Sequence, residues 1–510
     1  MARNRNLRSL SAATEMGQQV FGRPGAAKLD SCWKTRGIAL TGIIAAVVAV
    51  GTALLWRLPQ AADDTVASVK ISLGDMVVEV PAGKVAIGFS WRIIPGTGWG
   101  NFGTQLLERW IRNTSCPYYP IIIAPQRFRT PVVDELLAAG RQPPPDAIDR
   151  FLKQQPQGYT LPFAVAHSIS GAFNRKPGDD HKWGRANIAF CFFEVAILTQ
   201  AQRHYAASFD MILAGSKYNE RVLVEHGITP EHVRTAWQGV DTTLFRGSST
   251  RADVDVETQK LLQLPEQGRD AKPPFVVFSG GKLEIRKGQD IVIAGFRKFL
   301  RSHPDSVLVT AWHNYWPGKL TDSIQKAGLV QGAPDLRVVD AAGRPKMLNG
   351  KGQEEAVRAW VVRNGIPEAN VRCLGPTEPR ILAAVLRRAD VAVFPNRAEG
   401  GTNLVAMEAM ASGVPTIMSS AMGHADLADE SRCFVLPQVS DAPKGSKVVE
   451  PGRDWARCTP SDVVRALDAV HNDEKVALER AARGAAFVRS EMTWEISVAR
   501  ISDYMQERGI

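Results

Sequence analysis

The stretch VAVFPNRAEGGTNLVAMEAMASGVPTIMS, from Val391 to Ser419, decides how this chain is read. Ala392-Val393-Phe394-Pro395 is a short apolar run closed by a proline, the pattern of a parallel strand buried on both faces. Glu399-Gly400-Gly401-Thr402-Asn403 turns the chain into Leu404–Ala411, whose composition is strongly helical. Thr402 or Asn403 can cap the helix start, Gly413 stands where a left-handed cap is wanted, and Pro415 stops any continuation. Free N–H groups at that helix start, beside two glycines that permit close approach, make an anion site at a strand's C-terminal end. Glu408, one turn further in on an otherwise apolar helix, is a costly charge unless something polar pairs with it. Its partner is either a ligand hydroxyl or an arginine of the same core.

A nucleotide sugar meets both needs, with a diphosphate for the helix start and ribose hydroxyls for the carboxylate. The run from Glu399 to Pro415 resembles the acidic-glycine signature of the retaining glycosyltransferases of family four, although eight residues separate Glu399 from Glu408 where that family has seven. A second run points the same way. Phe275–Gly288 reads as strand, glycine turn and basic residues, and basic side chains at the edge of a parallel strand suit a phosphate held in the switch-point crevice. It resembles the family's phosphate loop: Lys287-Gly288 matches, while Lys282 replaces the usual arginine, giving a point charge in place of a fork. Arg286 stands close enough in sequence to compensate. Trp237-Gln238-Gly239-Val240-Asp241 resembles the motif that ends the family's first domain, with Gln238 for its asparagine.

The resemblance implies an α/β chain of GT-B type, two Rossmann-like domains with parallel sheets facing a cleft. It implies sugar transfer from a nucleotide diphosphate donor to an acceptor hydroxyl with retention, the donor being a co-substrate and no cofactor or metal being needed. On that basis Lys282 and Lys287 would stabilise charge on the leaving phosphate. Gly280, Gly281, Arg286, Gly400, Gly401, Thr402 and Asn403 would bind the donor, Glu408 its ribose, and Glu399 would face the transferred sugar. The acceptor would be a glycan, glycolipid or glycoprotein, held mainly by the first domain.

That first domain is less legible. Val85–Phe89 is a strand leading into Pro95–Gly103, a glycine loop whose Gly98 and Gly100 let a ligand approach the backbone. A dinucleotide site expects an acid at the end of the second strand, and Pro120–Pro125 is followed by Gln126, so hydride chemistry loses ground. His167 ends the run Phe163–His167 and is either a sugar contact with a catalytic part or a core histidine satisfied by backbone. Glu194 sits among aromatics and either faces a ligand or forms half of a buried pair.

The 510 residues suit two or three domains. The formal net charge is +10, but residues 1–36 hold seven basic residues against Glu15 and Asp30, so the excess is not a nucleic-acid surface. The six cysteines show no Cys-x-x-Cys spacing, which argues against a zinc site. After the basic tail, residues 37–57 form an uncharged run up to Trp56, about long enough to cross a bilayer core. The resulting division is tail 1–36, transmembrane anchor 37–57, stem 58–84, first domain 85–250, linker 251–273, second domain 274–490 and a C-terminal helix 491–510. The basic tail favours a cytosolic N-terminus and a lumenal, Golgi-type catalytic domain, with a cytosol-facing enzyme as the alternative. Asn113-Thr114-Ser115 is a sequon usable only in a lumen. The polar excursion at 315–352 carries no readable motif. A sugar-nucleotide epimerase of the same architecture and a non-catalytic anchored scaffold are the other readings.

Overall fold

Strands that are apolar at every position have no face to give to water, so they collect in sheets covered on both sides by helices. The computed structural model describes residues 68–510 except 129, 175–181, 248–257, 259–260, 265–272, 317–318, 341–342, 438–454 and 456. It contains two such sheets. In the first lobe β3 (Val85–Phe89), β4 (Tyr118–Ile122), β5 (Ala164–Ser170), β6 (Asn187–Phe192), β7 (Met211–Ala214) and β8 (Val233–Thr235) lie in the order β4-β3-β5-β6-β7-β8. In the second, β9 (Val276–Lys282), β10 (Val307–His313), β13 (Val371–Cys373), β14 (Val391–Phe394), β15 (Thr416–Ser419) and β16 (Phe434–Leu436) lie in the order β13-β10-β9-β14-β15-β16. All pairings in both are parallel.

This topology places the two sequence motifs together. Successive strands of the second lobe run outward from β9 on one side and from β14 on the other, so the order reverses between these neighbours, where Val391 pairs with Val277 and Ala392 with Phe278. Crevices at such reversals are where open α/β sheets bind ligands. The basic loop leaves β9 and the acidic-glycine turn leaves β14, both at that point.

Three expectations need correction or limits. Residues 58–84 read as a stem with a hairpin over Val69 to Val80; β1 (Ser68–Leu73) and β2 (Met76–Pro81) do form that antiparallel hairpin, but it packs on the first lobe and is not a separate stem. Leu73, Val78 and Val80 are buried with Ile121, Ile148 and Phe163, because alternation of period two gives the hairpin an apolar face. His167 does not end its strand: pairing of β5 with β6 continues to Ser170, leaving His167 in mid-strand. The expected tail and anchor at 1–57 lie outside the described residues, as does most of the linker. Among the described residues no helix is long and apolar enough to cross a membrane.

The C-terminal helix Trp494–Glu507 returns to the first lobe, where Trp494, Val498, Ile501 and Met505 share a core with Phe102, Trp110 and Tyr118. The crossing is tight at Gly239, whose Cβ would lie 2.3 Å from the Trp494 nitrogen. The 315–352 excursion includes a small hairpin of β11 (Arg337–Val339) and β12 (Pro345–Met347).

Candidate active site between the lobes

The β9 strand ends in Gly280-Gly281-Lys282. A Cβ on Gly280 would press on Val405 at 2.8 Å, so this glycine serves packing, whereas Gly281 has φ +128° with open space around it. Lys282, 31 % exposed, lies 3.4 Å from Glu284 and its ammonium sits 5.5 Å from the centre of the Trp316 ring. A 3₁₀ turn, Ile285–Lys287, follows and ends at Gly288, whose φ of +73° and closeness to the Pro395 carbonyl exclude a side chain. That turn aims Arg286 and Lys287 at the acidic-glycine loop.

There a compact charge cluster forms. Lys287 is paired with Glu399, and Glu399 also receives Nδ2 of Asn396 at 2.8 Å and Arg286 at 3.3 Å. Arg286 further meets Glu284 at 2.6 Å and, across the lobes, Glu194 at 3.4 Å. Burial pushes the Glu399 carboxyl up, but Lys287 and Arg286 outweigh it and hold the group down at about 2. Burial works against ionised Glu284 too, and Arg286 and Lys282 overcome it, keeping its pKa below the usual value. Glu194 goes the other way: burial exceeds the pull of Arg286, and Glu399 adds to it.

Glu408 stands apart. It is 7 % exposed, and burial alone raises its pKa to about 8. Among the described residues nothing hydrogen-bonds or ion-pairs with its carboxylate, so the arginine partner that the sequence left open is not found. Of the two possible caps, Asn403 takes the N-cap position with φ +63°, and its side chain bonds elsewhere. Its Nδ2 lies 3.0 Å from Nε2 of His424, whose Nδ1 faces the Ser419 carbonyl at 3.1 Å. A neutral His424 with its proton on Nδ1 satisfies both contacts, and burial holds its pKa down at about 4. Thr402 is fully buried, with its hydroxyl on the Met407 sulfur at 2.9 Å.

Gly400 and Gly401 were expected to admit a ligand, but it is the first lobe that approaches them. A Cβ on Gly400 would lie 2.7 Å from the Phe193 nitrogen, and one on Gly401 2.8 Å from the Phe192 ring. The Ser216 hydroxyl donates to the Gly400 carbonyl at 2.7 Å. Asp426 accepts from the Lys217 amide at 2.9 Å and from the Trp237 indole at 2.7 Å, joining the lobes again.

The remaining first-lobe candidates divide. Glu194 belongs to the cluster. His167 does not: its ring nitrogens face Ser90 at 3.3 Å and Asn187 at 3.1 Å, its ring contacts Trp183 and Phe209, and burial keeps it neutral with a pKa near 4. It is a satisfied core histidine. Gly100 is pinned by structure, since a Cβ there would meet the Ile94 carbonyl at 1.8 Å while its amide caps on Thr97 at 2.9 Å. Gly98 opens the helix Gly98–Arg112 and has free space about it. Sequence reasoning missed Glu284, Asn396 and His424 as site residues. Glu284 carried a signal, a lone acid between Lys282 and Arg286, but Asn396 and His424 owe their places to folding alone.

The chain is similar in sequence and in fold to known proteins. A family described as group 1 glycosyl transferases matches residues 327–446, a span that includes the acidic-glycine turn. A D-inositol 3-phosphate glycosyltransferase from Corynebacterium kroppenstedtii is 24 % identical over 58 % of this chain and 53 % of its own length. Its counterpart from Acidothermus cellulolyticus is 27 % identical over 42 % of this chain and 40 % of its own length. The chain thus spans about half the length of the curated relatives it matches. Among solved structures, HepE of Anabaena crystallised with UDP-glucose superposes with a TM-score of 0.52 at 13 % identity, covering 83 % of this chain and 99 % of that one. Sucrose-phosphate synthase of Thermosynechococcus elongatus gives 0.53 at 13 % identity, with 83 % and 99 % covered. At such identity the likeness is one of fold.

Proposed function

We propose that this chain, a GT-B protein of the group 1 glycosyltransferase type, transfers a sugar from a nucleotide diphosphate donor to an acceptor hydroxyl with retention. The observation that carries the reading is the pairing of two needs at the β9–β14 reversal: a group of cations, and one buried carboxylate with no protein partner among the described residues. A nucleoside diphosphate answers both, its phosphates lying against Lys282, Arg286 and Lys287 and its ribose hydroxyls donating to Glu408. Fixed cations in a water-poor cleft stabilise the leaving diphosphate as charge develops on it. Glu399, held ionised and oriented by Lys287 and Asn396, would face the transferred sugar. An acceptor bound to the first lobe would enter from the Gly98 loop.

The test is turnover of purified protein on labelled UDP-, GDP- and ADP-sugars, with the anomeric configuration of product read by NMR. Transfer or slow donor hydrolysis with retention is the expected result. Release of an isomerised donor would favour the epimerase reading, and silence across the panel the scaffold. The anchor at 37–57 and a lumenal catalytic domain are further proposals. Recovery of the protein in the soluble fraction removes the anchor, and digestion of the catalytic domain from the cytosolic side of sealed membranes removes the orientation.

Glu408→Gln is informative in two ways. It weakens nucleotide binding where the parent carboxyl is ionised, at pH 8 and above, because the amide still accepts a hydroxyl but loses the charge-assisted bond. It also changes the pH dependence of folding. A carboxyl with a folded pKa near 8 takes up protons on folding, so its contribution to stability falls as pH rises from the usual carboxylate range to about 8. The variant therefore melts higher than the parent at pH 8–9 and close to it at pH 5. Unchanged nucleotide affinity together with a lower melting temperature at every pH would place Glu408 in the fold and not in the site.

A further inference from the structure

The charge cluster contains a difficulty for any anionic ligand. Lys282, Arg286 and Lys287 face Glu194, Glu284 and Glu399, so among these described residues charges balance and each of the three cations is already engaged by a carboxylate. One of the carboxylates has to yield. Glu399 is fastened by Lys287 and Asn396, and Glu284 lies between Lys282 and Arg286 with its side chain 6 % exposed. Glu194 is fastened least: its side chain is 29 % exposed, its one ion pair among the described residues is the 3.4 Å contact with Arg286, and it alone of the three comes from the first lobe. Nor do the lobes need it to stay together, since Ser216, Lys217 and Trp237 bridge them through Gly400 and Asp426.

We infer that Glu194 is a competing carboxylate of the donor site: it engages Arg286, and a nucleoside diphosphate must displace or neutralise it to bind. The inference rests on the donor-site reading above. The groups that face Glu194 are Arg286, Glu284 and Lys287 from the β9 loop and Glu399 from the β14 loop, and the Trp455 indole meets its backbone carbonyl at 3.4 Å. The two carboxylates repel it and burial disfavours its charge, so it is the member of the cluster most easily protonated. Donor binding is thereby coupled to proton uptake. As pH falls through its titration, Glu194 loses its charge and Arg286 becomes free for phosphate; as pH rises, the competition returns. A ligand without adjacent negative charges, such as a nucleoside, does not compete for Arg286, so Glu194 weakens the binding of a diphosphate and leaves that of a nucleoside unchanged.

The experiment is calorimetric titration of the full chain, its Glu194→Gln variant and its Glu194→Ala variant with UDP, GDP, ADP and the matching nucleosides from pH 5.5 to 8.5, with melting curves of each protein. The ratio of parent to variant Kd removes the ligand's own titration. Expected at pH 8 is diphosphate binding about fivefold or more tighter in both variants, the weight of one partly solvated ion pair. The ratio should shrink as pH falls, with nucleoside affinity unchanged. Equal or weaker diphosphate binding by properly folded variants overturns the role of Glu194 and leaves the donor site standing. A ratio independent of pH refutes the proton coupling. Absence of diphosphate binding by all three proteins overturns both this inference and the donor site.

Discussion

Replacing Lys287 by alanine lowers turnover at saturating donor by about 10²–10³-fold, or roughly 3–4 kcal/mol, the loss typical of one preorganised electrostatic donor. In the sequence this lysine reads as a solvated cation awaiting phosphate. In the folded chain its side chain is 11 % exposed and paired with Glu399. Two functions are therefore removed together, charge on the leaving diphosphate and the contact that orients Glu399. The fold tolerates the change because Glu399 keeps Arg286 at 3.3 Å and Nδ2 of Asn396 at 2.8 Å, so no carboxylate is stranded. The measurement is kcat with a circular-dichroism melt alongside it. Near-normal turnover in a folded variant would reduce Lys287 to a structural partner of Glu399.

The largest loss of stability is expected at a residue with no part in the chemistry. Arg397 donates to both oxygens of Asp290, at 2.8 and 2.7 Å, and to the Ile285 carbonyl at 2.8 Å. Asp290, in the first turn of the helix Gln289–Phe299, is fully buried. Truncating Arg397 to alanine strands that carboxylate in the core, at a cost of about 3–5 kcal/mol. The double variant Arg397→Ala with Asp290→Asn recovers part of the loss, since the orphan charge is gone. Urea unfolding followed by tryptophan fluorescence reads both. A single-variant loss below about 1 kcal/mol would mean that water reaches Asp290 and solvates it. Because Arg397 and Ile285 belong to the loops that carry Glu399 and Arg286, the pair also ties the two motifs into one site.

Much of this was legible in the linear chain where local signals agree. The apolar runs of β9 and β14 read as buried strands, Gly413 has the left-handed conformation read for it with φ +73°, and the helix-favouring composition of Leu404–Ala411 produced the helix. The acidic-glycine turn and the basic loop stand out in the sequence because each is a short-range arrangement of charge and backbone freedom. Length and alternation also set the α/β class.

Tertiary structure decided the rest, and each case turns on a partner distant in sequence. Whether Glu408 was a ligand carboxylate or half of an ion pair depended on what lay opposite, and among the described residues no arginine does. His167 could be a sugar contact or a core residue until β5 was seen to extend past it and Asn187 to satisfy it. Gly400 and Gly401 were read as room for a ligand, yet Phe192 and Phe193 of the other lobe approach them, because close packing uses a missing Cβ as readily as a ligand does. Glu194 and Arg286, 92 positions apart in the chain, meet only when both sheets are formed and the lobes face each other. Sequence carries the propensities and charges of single segments. Burial, and with it the ionisation of every group in the cleft, belongs to the assembled molecule.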